Sequence, residues 1–309
     1  MSYWKLLSKL IDRGTPVIIV QLLIYWFTKQ SLRVGWGNFL SDSFHMNNGI
    51  RQGSILSPHF FNVYVDNLNL DLNKSRVGCH IANEPMNNFS YVDDLVLVAP
   101  SITALNDLLK ICDNFAKQHY VIFSTTKTVC MRILPKDVKL NKCPSVYLGD
   151  VRLEFVDNLS YLGHTISITF KDDMDIKKEM RKLCYRGNSL VRKFKFCNDD
   201  VKCTLFRSFC YSIYCTSLWA DYKVETFQRL RVNYNNILRR LMGVPIYSSA
   251  SFLFGSNGVK TLNELIRTAQ YSLMKRVQNS QNTLVEILLR SDSTQKSTIR
   301  QRWQDSLFL

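Results

Sequence analysis

The sequence predicts an α+β fold, an antiparallel sheet with packed helices up to about residue 170, followed by an all-helical remainder. Three observations predict it. Two short apolar runs, residues 89–92 and 95–99, flank the pair Asp93-Asp94 and end at Pro100, which reads as a β-hairpin. Directly after it, Leu105, Leu108, Leu109, Cys112 and Phe115 recur at helical spacing. Beyond Phe170 the strand-like alternation stops and the apolar positions keep a helical period.

Taken in order, residues 3–11 and 16–29 read as helices separated by Asp12-Arg13-Gly14-Thr15. Pro16 falls in the first turn of the second, where its missing N–H costs nothing. Leu32-Arg33-Val34-Gly35-Trp36 alternates as a strand, and the loop 49–58 leads into a helix carrying Phe60, Phe61, Tyr64, Val65 and Leu68. After the hairpin, a helix over 102–119 is expected with Thr103 as its cap. Residues 121–123 and 129–134 suggest a strand pair, and 151–168 supply further strands around Tyr161-Leu162-Gly163. Asp172, Asp173 and Asp175 then open a helix containing Ile176, Met180, Leu183, Leu190, Val191 and Phe194, where acidic residues complement the helix dipole. Helices follow over 201–220, 224–242 and 261–277, broken at Gly243-Val244-Pro245 and at 255–258. The expected division is 1–170, 171–245 and 246–309.

A chain of 309 residues that is 46% hydrophobic can bury a sizeable core. Its 40 basic against 25 acidic side chains give a net charge of +15, suited to a polyanion. Residues 1–150 carry only +4 of this and residues 151–309 carry +11, so the basic surface belongs mostly to the second half. The longest apolar run, 17–27, is well short of the roughly 20 residues of a membrane-spanning helix and contains Gln21, so no membrane partner is expected. Four charged residues precede it and no small-residue cleavage site follows, which argues against a signal peptide. The nine cysteines are odd in number, form no CxxC pair and read as reduced thiols of an intracellular protein, in nucleus or cytoplasm.

The chemistry concentrates in Tyr91-Val92-Asp93-Asp94. Adjacent carboxylates at a strand turn repel unless a cation sits beside them, and hard oxygen donors point to Mg²⁺, or Mn²⁺ in its place. Upstream stands Gly49-Ile50-Arg51-Gln52-Gly53-Ser54-Ile55-Leu56-Ser57-Pro58. Its two glycines let backbone approach a nucleotide, while Arg51 and Gln52 offer donors to base, sugar or phosphate.

This decapeptide before Tyr-Val-Asp-Asp resembles the nucleotide-binding loop and catalytic hairpin of non-LTR, LINE- or jockey-like retrotransposon reverse transcriptases. The resemblance implies a partial palm, then a helical thumb and C-terminal region, acting on an RNA template, a DNA primer and deoxynucleoside triphosphates. It implies that Asp93 and Asp94 are catalytic metal ligands, and that Gly49, Arg51, Gln52, Gly53, Ser57 and Pro58 meet nucleotide or template. Ser124-Thr125-Thr126-Lys127-Thr128 resembles the next motif, in which Lys127 would protonate the leaving pyrophosphate; many relatives have asparagine where Ser124 stands. Tyr161, Leu162 and Gly163 resemble the primer grip, with His164 expected to be structural. Lys177, Lys178, Arg181, Lys182, Arg186, Arg192, Lys193 and Lys195 resemble a thumb row that tracks duplex phosphates. Residues 205–219 and 239–254 resemble the C-terminal region of the same proteins, their aromatic residues expected in helix cores.

In such relatives an Ala-Phe-Asp strand carrying the first catalytic aspartate runs into a helix resembling Tyr3-Trp4-Lys5-Leu6-Leu7-Ser8-Lys9-Leu10. Aligning that helix puts the aspartate about two residues before Met1, so the chain is expected to be N-terminally truncated and inactive alone. Neither Asp12 nor Asp66 is placed to substitute. A partial palm is further expected to expose apolar surface. Two alternatives remain, a non-enzymatic nucleic-acid-binding remnant and a mis-started gene model.

Overall fold

The computed structural model describes residues 1–51, 53–133 and 144–305. They divide into two compact units: unit 1 comprises the described residues of Met1–Cys130 and Leu140–Glu154, unit 2 those of Met131–Lys139 and Phe155–Leu309.

In unit 1, α1 (Tyr3–Asp12) and α2 (Val17–Lys29) meet at a turn containing Gly14. Tyr3, Leu6, Leu7 and Leu10 of α1 pack with Val20, Leu23 and Phe27 of α2, and the Tyr3 ring stacks on Phe27. The single strand expected over 32–36 is instead two, because the chain doubles back around Gly37. β1 (Ser31–Leu32) pairs with β4 (Phe44–His45), and β2 (Gly35–Trp36) with β3 (Phe39–Leu40). Between the two ladders Ser41 takes over the pairing, its Oγ accepting from Val34 N and its own N–H donating to Val34 O. α3 (Ser57–Lys74) joins both cores of the unit. Phe60, Tyr64 and Val65 face α1 and α2. Leu68 and Leu72 face Leu108, Cys112 and Phe115 of α4 (Ile102–His119).

Between α3 and α4 run β5 (His80–Ile81), β6 (Glu84–Pro85), β7 (Asn88–Tyr91) and β8 (Asp94–Leu97). The cap of α4 is Ser101 rather than Thr103: its Oγ accepts from Ala104 N, the geometry that an extended residue just outside the helix provides. Residues 121–123 are not a strand. Val121 N–H is spent on Ala116 O at the helix end, and Val121 and Phe123 serve as packing on the α3/α4 core. Short strands follow at β9 (Val129–Cys130), β10 (Tyr147–Leu148), β11 (Val151–Arg152) and β12 (Glu154–Phe155). Residue 134 and the rest of the segment to 143 lie outside the described residues.

Among the described residues strands pair two by two, so the continuous sheet expected around residues 89–99 is replaced by separate ladders. Most strands are two residues long, which gives too few rungs to recruit a third. Val17, Ile18, Leu22 and Tyr25 on α2, with Trp36, Phe39 and Leu40, leave much apolar surface exposed, as expected.

Unit 2 opens with the hairpin β13 (Asn158–Tyr161) and β14 (His164–Ser167), followed by α5 (Asp173–Phe194), α6 (Asp199–Cys210), α7 (Val224–Met242), α8 (Ala250–Ser256), α9 (Leu262–Gln278), α10 (Thr283–Arg290), α11 (Asp292–Gln295) and α12 (Thr298–Asp305). Ile176, Leu183 and Leu190 of α5 enter one core with Phe206, Trp219, Leu230, Tyr234, Ile237 and Phe254. At Gly187 α5 lies close against α7: a Cβ there would lie 2.6 Å from Ile237 Cδ1. The helix expected over 201–220 stops at Cys210, since Trp219, Ala220 and Asp221 are drawn onto acidic side chains at the start of α5. No helix among the described residues is long and apolar enough to cross a membrane.

Candidate active site

Asn88 pairs with Leu97, Phe89 with Val96, Ser90 with Leu95 and Tyr91 with Asp94. The turn is therefore Val92-Asp93, one residue earlier than the Asp93-Asp94 connection expected, and Asp94 is the first residue of β8. Strand periodicity then sorts the faces. Leu95 and Leu97 pack on the α3/α4 core, while Ser90 Oγ donates to Asn69 Oδ1 (2.6 Å) and Asn88 Nδ2 to Asn73 Oδ1 (2.7 Å), so this face lies on α3. Tyr91 and Asp94 stand on the opposite face, and Asp93 and Asp94 are both exposed. Val92 takes φ +53°, a left-handed conformation that costs a β-branched residue about 1–2 kcal/mol.

α3 sets this turn relative to the glycine loop. Residues 69 and 73 of α3 hold residues 90 and 88 of β7, so the strand runs toward the helix N-terminus. Four helical residues and two strand residues each advance roughly 6 Å, which keeps the two in step. The carboxylate turn thus heads toward the end of α3 where the loop joins. There Ser57 Oγ donates to Arg51 O (2.7 Å), Ser54 N to Arg51 O and Ser57 N to Ser54 O. Pro58 occupies the first helical turn, which needs no donor from it. Gly49 and Gly53 have φ of +90° and +81° with nothing within 4 Å of an added Cβ, so each is required by conformation and leaves open space. Arg51 is exposed and donates from Nη2 to Ser31 O (3.3 Å); Gln52 lies outside the described residues. Asp66 is engaged by Arg13, its Oδ2 accepting from Nη2 at 2.5 Å.

Lys127 is exposed in a turn closed by Lys127 N and Thr128 N on Ser124 O. Among the described residues no hydrogen bond or ion pair joins it to Asp93 or Asp94.

In unit 2, Tyr161 pairs with His164 across a turn in which Leu162 (φ +47°) and Gly163 (φ +78°) are both left-handed, the type I′ geometry of tight hairpins. This turn is gripped from outside. Lys178 Nζ donates to Gly163 O (2.6 Å) and Thr165 Oγ1 (2.9 Å), and Tyr214 OH donates to Leu162 O (2.9 Å). Behind it sits Asp175, 1% exposed, which accepts from His164 Nδ1 (3.1 Å), Thr165 N (3.0 Å) and Trp219 Nε1 (3.0 Å) and pairs with Lys178 (2.5 Å). Burial pushes the Asp175 carboxyl up, but these four donors outweigh it and hold it well below the usual carboxylate range. Asp172 goes the other way: burial raises it, and the N–H groups of Ala220 and Asp221 oppose that shift without cancelling it.

A family model of reverse transcriptase (RNA-dependent DNA polymerase) matches residues 4–166, more than half of the chain. The chain belongs to the reverse transcriptase family. Comparison with curated proteins gives no match. Membership implies nucleic-acid template and nucleotide substrates in general, and enzymes of this family generally use divalent metal ions. Asp93 and Asp94 fit such an ion in donor type. Among the described residues, however, no group of three or more His, Cys, Asp or Glu is gathered, so the pair alone would supply only part of a coordination shell.

The sequence reading of this reverse transcriptase missed two supports. Asn87, fully buried, donates from Nδ2 to Leu72 O (2.8 Å) and Val77 O (2.6 Å) and ties the base of the carboxylate hairpin to the end of α3. Asp175, in the first turn of α5 as its dipole favours, and Asp172 at its cap are also buried acceptors, a role that the dipole pattern alone does not reveal. The one local signal was two acidic residues spaced to face inward beside Ile176.

Proposed function

We propose that the chain is an RNA-directed DNA polymerase domain of non-LTR retrotransposon type, with a partial palm over 1–170, a thumb over 171–245 and a C-terminal region over 246–309. The observation that carries this reading is the hairpin that is helix-covered on one face and presents Asp94 on the other, with Asp93 at its strained turn. Asp93 and Asp94 would hold Mg²⁺ or Mn²⁺, which when bound supplies electrostatic stabilisation of phosphoryl oxygens. Gly49 and Gly53 let the backbone approach a deoxynucleoside triphosphate, and Arg51, with Gln52, adds donors to it. Ser57 and Pro58 fix where that loop enters α3. Lys127 would donate a proton to a pyrophosphate oxygen as it leaves. Tyr161, Leu162 and Gly163 would seat the primer end, held by Lys178 and Tyr214.

The α5 row supports a duplex partner. Lys177, Arg181, Arg192, Lys193 and Lys195 are exposed, while Lys182, also exposed, pairs with the buried Glu179 (2.7 Å), and Asp175 of the same helix is buried. Lys178 and Arg186 leave the expected row, because Lys178 serves the turn and Arg186 Nη1 donates to Ser212 O (2.8 Å).

With two grouped carboxylates, the 309 residues by themselves should bind the ion weakly and should not extend a primer. Isothermal calorimetry of Mg²⁺ or Mn²⁺ on the wild type and on Asp93→Ala/Asp94→Ala tests the ligand assignment. Weak binding that the double variant lacks is the expected result, and identical traces would sink it. Nucleotide incorporation above background in primer extension would refute the inactivity. A nucleic-acid-binding remnant without catalysis is the second reading, favoured by the exposed basic face of α5.

A further inference from the structure

The helices after α5 hold a cleft that the polymerase reading does not use. It has a volume of about 450 Å³ and is lined by Arg231, Asn235 and Arg239 of α7, Ser251 of α8, and Thr261 and Asn263 at the start of α9. Arg231 is exposed and has no hydrogen-bond or ion-pair partner among the described residues. Arg239 spends Nε on Ser248 O and Nη1 on Asn236 Oδ1, which fixes its guanidinium against the cleft wall. No acidic side chain lines the cleft. The nearest in sequence, Glu264, is turned back onto Thr261 N and Oγ1 in a capping box, leaving the N–H groups of Leu262 and Asn263 without intrahelical acceptors. Two arginines with no acidic side chain in the lining favour an anionic ligand.

The spacing says which kind. Arg231, Asn235 and Arg239 are four residues apart on one face of α7, so the arginines are about 12 Å apart along the axis with the amide midway. That span exceeds one small anion and suits two non-adjacent phosphates of one strand. The segment that supplies Ser251 also presents Tyr247, 86% exposed, and Phe252, 75% exposed, while its neighbours Leu253 and Phe254 are buried in the core. Of the aromatic residues expected in helix cores, Phe209 and Tyr214 are also exposed, and these two are more exposed than either. Exposed aromatic rings on the segment that runs from α7 through α8 are what unpaired bases stack on.

We infer that α7, α8 and the start of α9 form a binding site for single-stranded nucleic acid, phosphates on Arg231 and Arg239 and bases on Tyr247 and Phe252. The site is separate from the α5 row and does not depend on catalysis by Asp93 and Asp94.

Fluorescence anisotropy of the whole 309-residue protein with a labelled, unstructured single-stranded RNA and with a labelled RNA–DNA hybrid tests it. Arg231→Ala should weaken single-strand binding and reduce the salt slope by about one. Tyr247→Ala/Phe252→Ala should weaken it by about tenfold or more, and neither variant should change hybrid affinity. Arg181→Ala/Arg192→Ala on α5 should do the reverse, so failure of the duplex reading is told apart from failure of this one. Thermal melts of each variant confirm folding, which these exposed positions should leave intact. Unchanged single-strand affinity in folded variants overturns the inference. Equal loss on both ligands also overturns it, since the cleft would then be part of a duplex surface.

Discussion

Asp175→Asn is the substitution that asks most of the structure. The side chain is 1% exposed and accepts from Lys178, His164, Trp219 and Thr165, so one carboxylate joins β14, α5 and the segment before α7. Asparagine keeps the shape but offers one oxygen where two accept, and turns an NH₂ toward existing donors. Removing one partner of a buried, hydrogen-bonded ion pair costs about 3–5 kcal/mol. Urea unfolding followed by tryptophan fluorescence measures it, and a loss under about 1 kcal/mol would refute the network's structural role. The pH dependence gives a second check. Because the folded carboxyl sits below its ordinary value, the unfolded chain binds more protons near pH 4. Its contribution is therefore complete above that range and is lost as pH falls toward the depressed folded value. Asp172, raised by burial, acts with opposite sign, its ionisation costing stability as pH rises above the ordinary carboxylate range. Wild type should lose stability on acidification between about pH 5 and 2, and Asp175→Asn should lose distinctly less. Equal acid sensitivity of the two proteins would assign the effect elsewhere.

Val92→Asn should raise stability by about 0.5–1 kcal/mol, since asparagine tolerates the left-handed φ that valine is forced into; a lower melting temperature would contradict the strained turn. Gly78→Ala should destabilise by more than about 2 kcal/mol, because φ is +102° and the new Cβ would lie 2.5 Å from Asn87 Cβ and 2.9 Å from Val98 O; near-neutral denaturation data would show that the hairpin base relaxes. Gly187→Ala should also destabilise, by about 1–3 kcal/mol, despite alanine's helix propensity, and Ile237→Ala in the same chain should recover part of the loss. Additive effects of the two substitutions in a thermal double-mutant cycle would mean the helices do not touch there.

What the sequence made legible follows from how local each signal is. α7 runs over Val224–Met242 as its apolar period requires, and Thr261 caps α9 through a capping box with Glu264 that is visible in the residues themselves. Turn register is less local. Asp93-Asp94 is the better turn pair by residue type, yet β7 is pinned by Asn69 and Asn73 of α3, and that tertiary contact forces the turn onto Val92 at the expense of backbone strain. The same holds for Asp175, whose bond to Trp219 spans 44 residues and has no footprint in the first turn of α5.

The two cases share a cause with functional weight. In each hairpin the turn is fixed by side chains on a helix, Asn69 and Asn73 for the carboxylates and Lys178 for Leu162-Gly163. A turn held only by its own ladder can shift register by one residue, which moves every side chain to the other face. For Asp94 that shift would carry the carboxylate from the open face onto α3. The Asn69 and Asn73 contacts therefore do more than stabilise: they decide which face of the hairpin the carboxylate occupies, and the proposed site on these two aspartates would depend on them as directly as on the aspartates themselves.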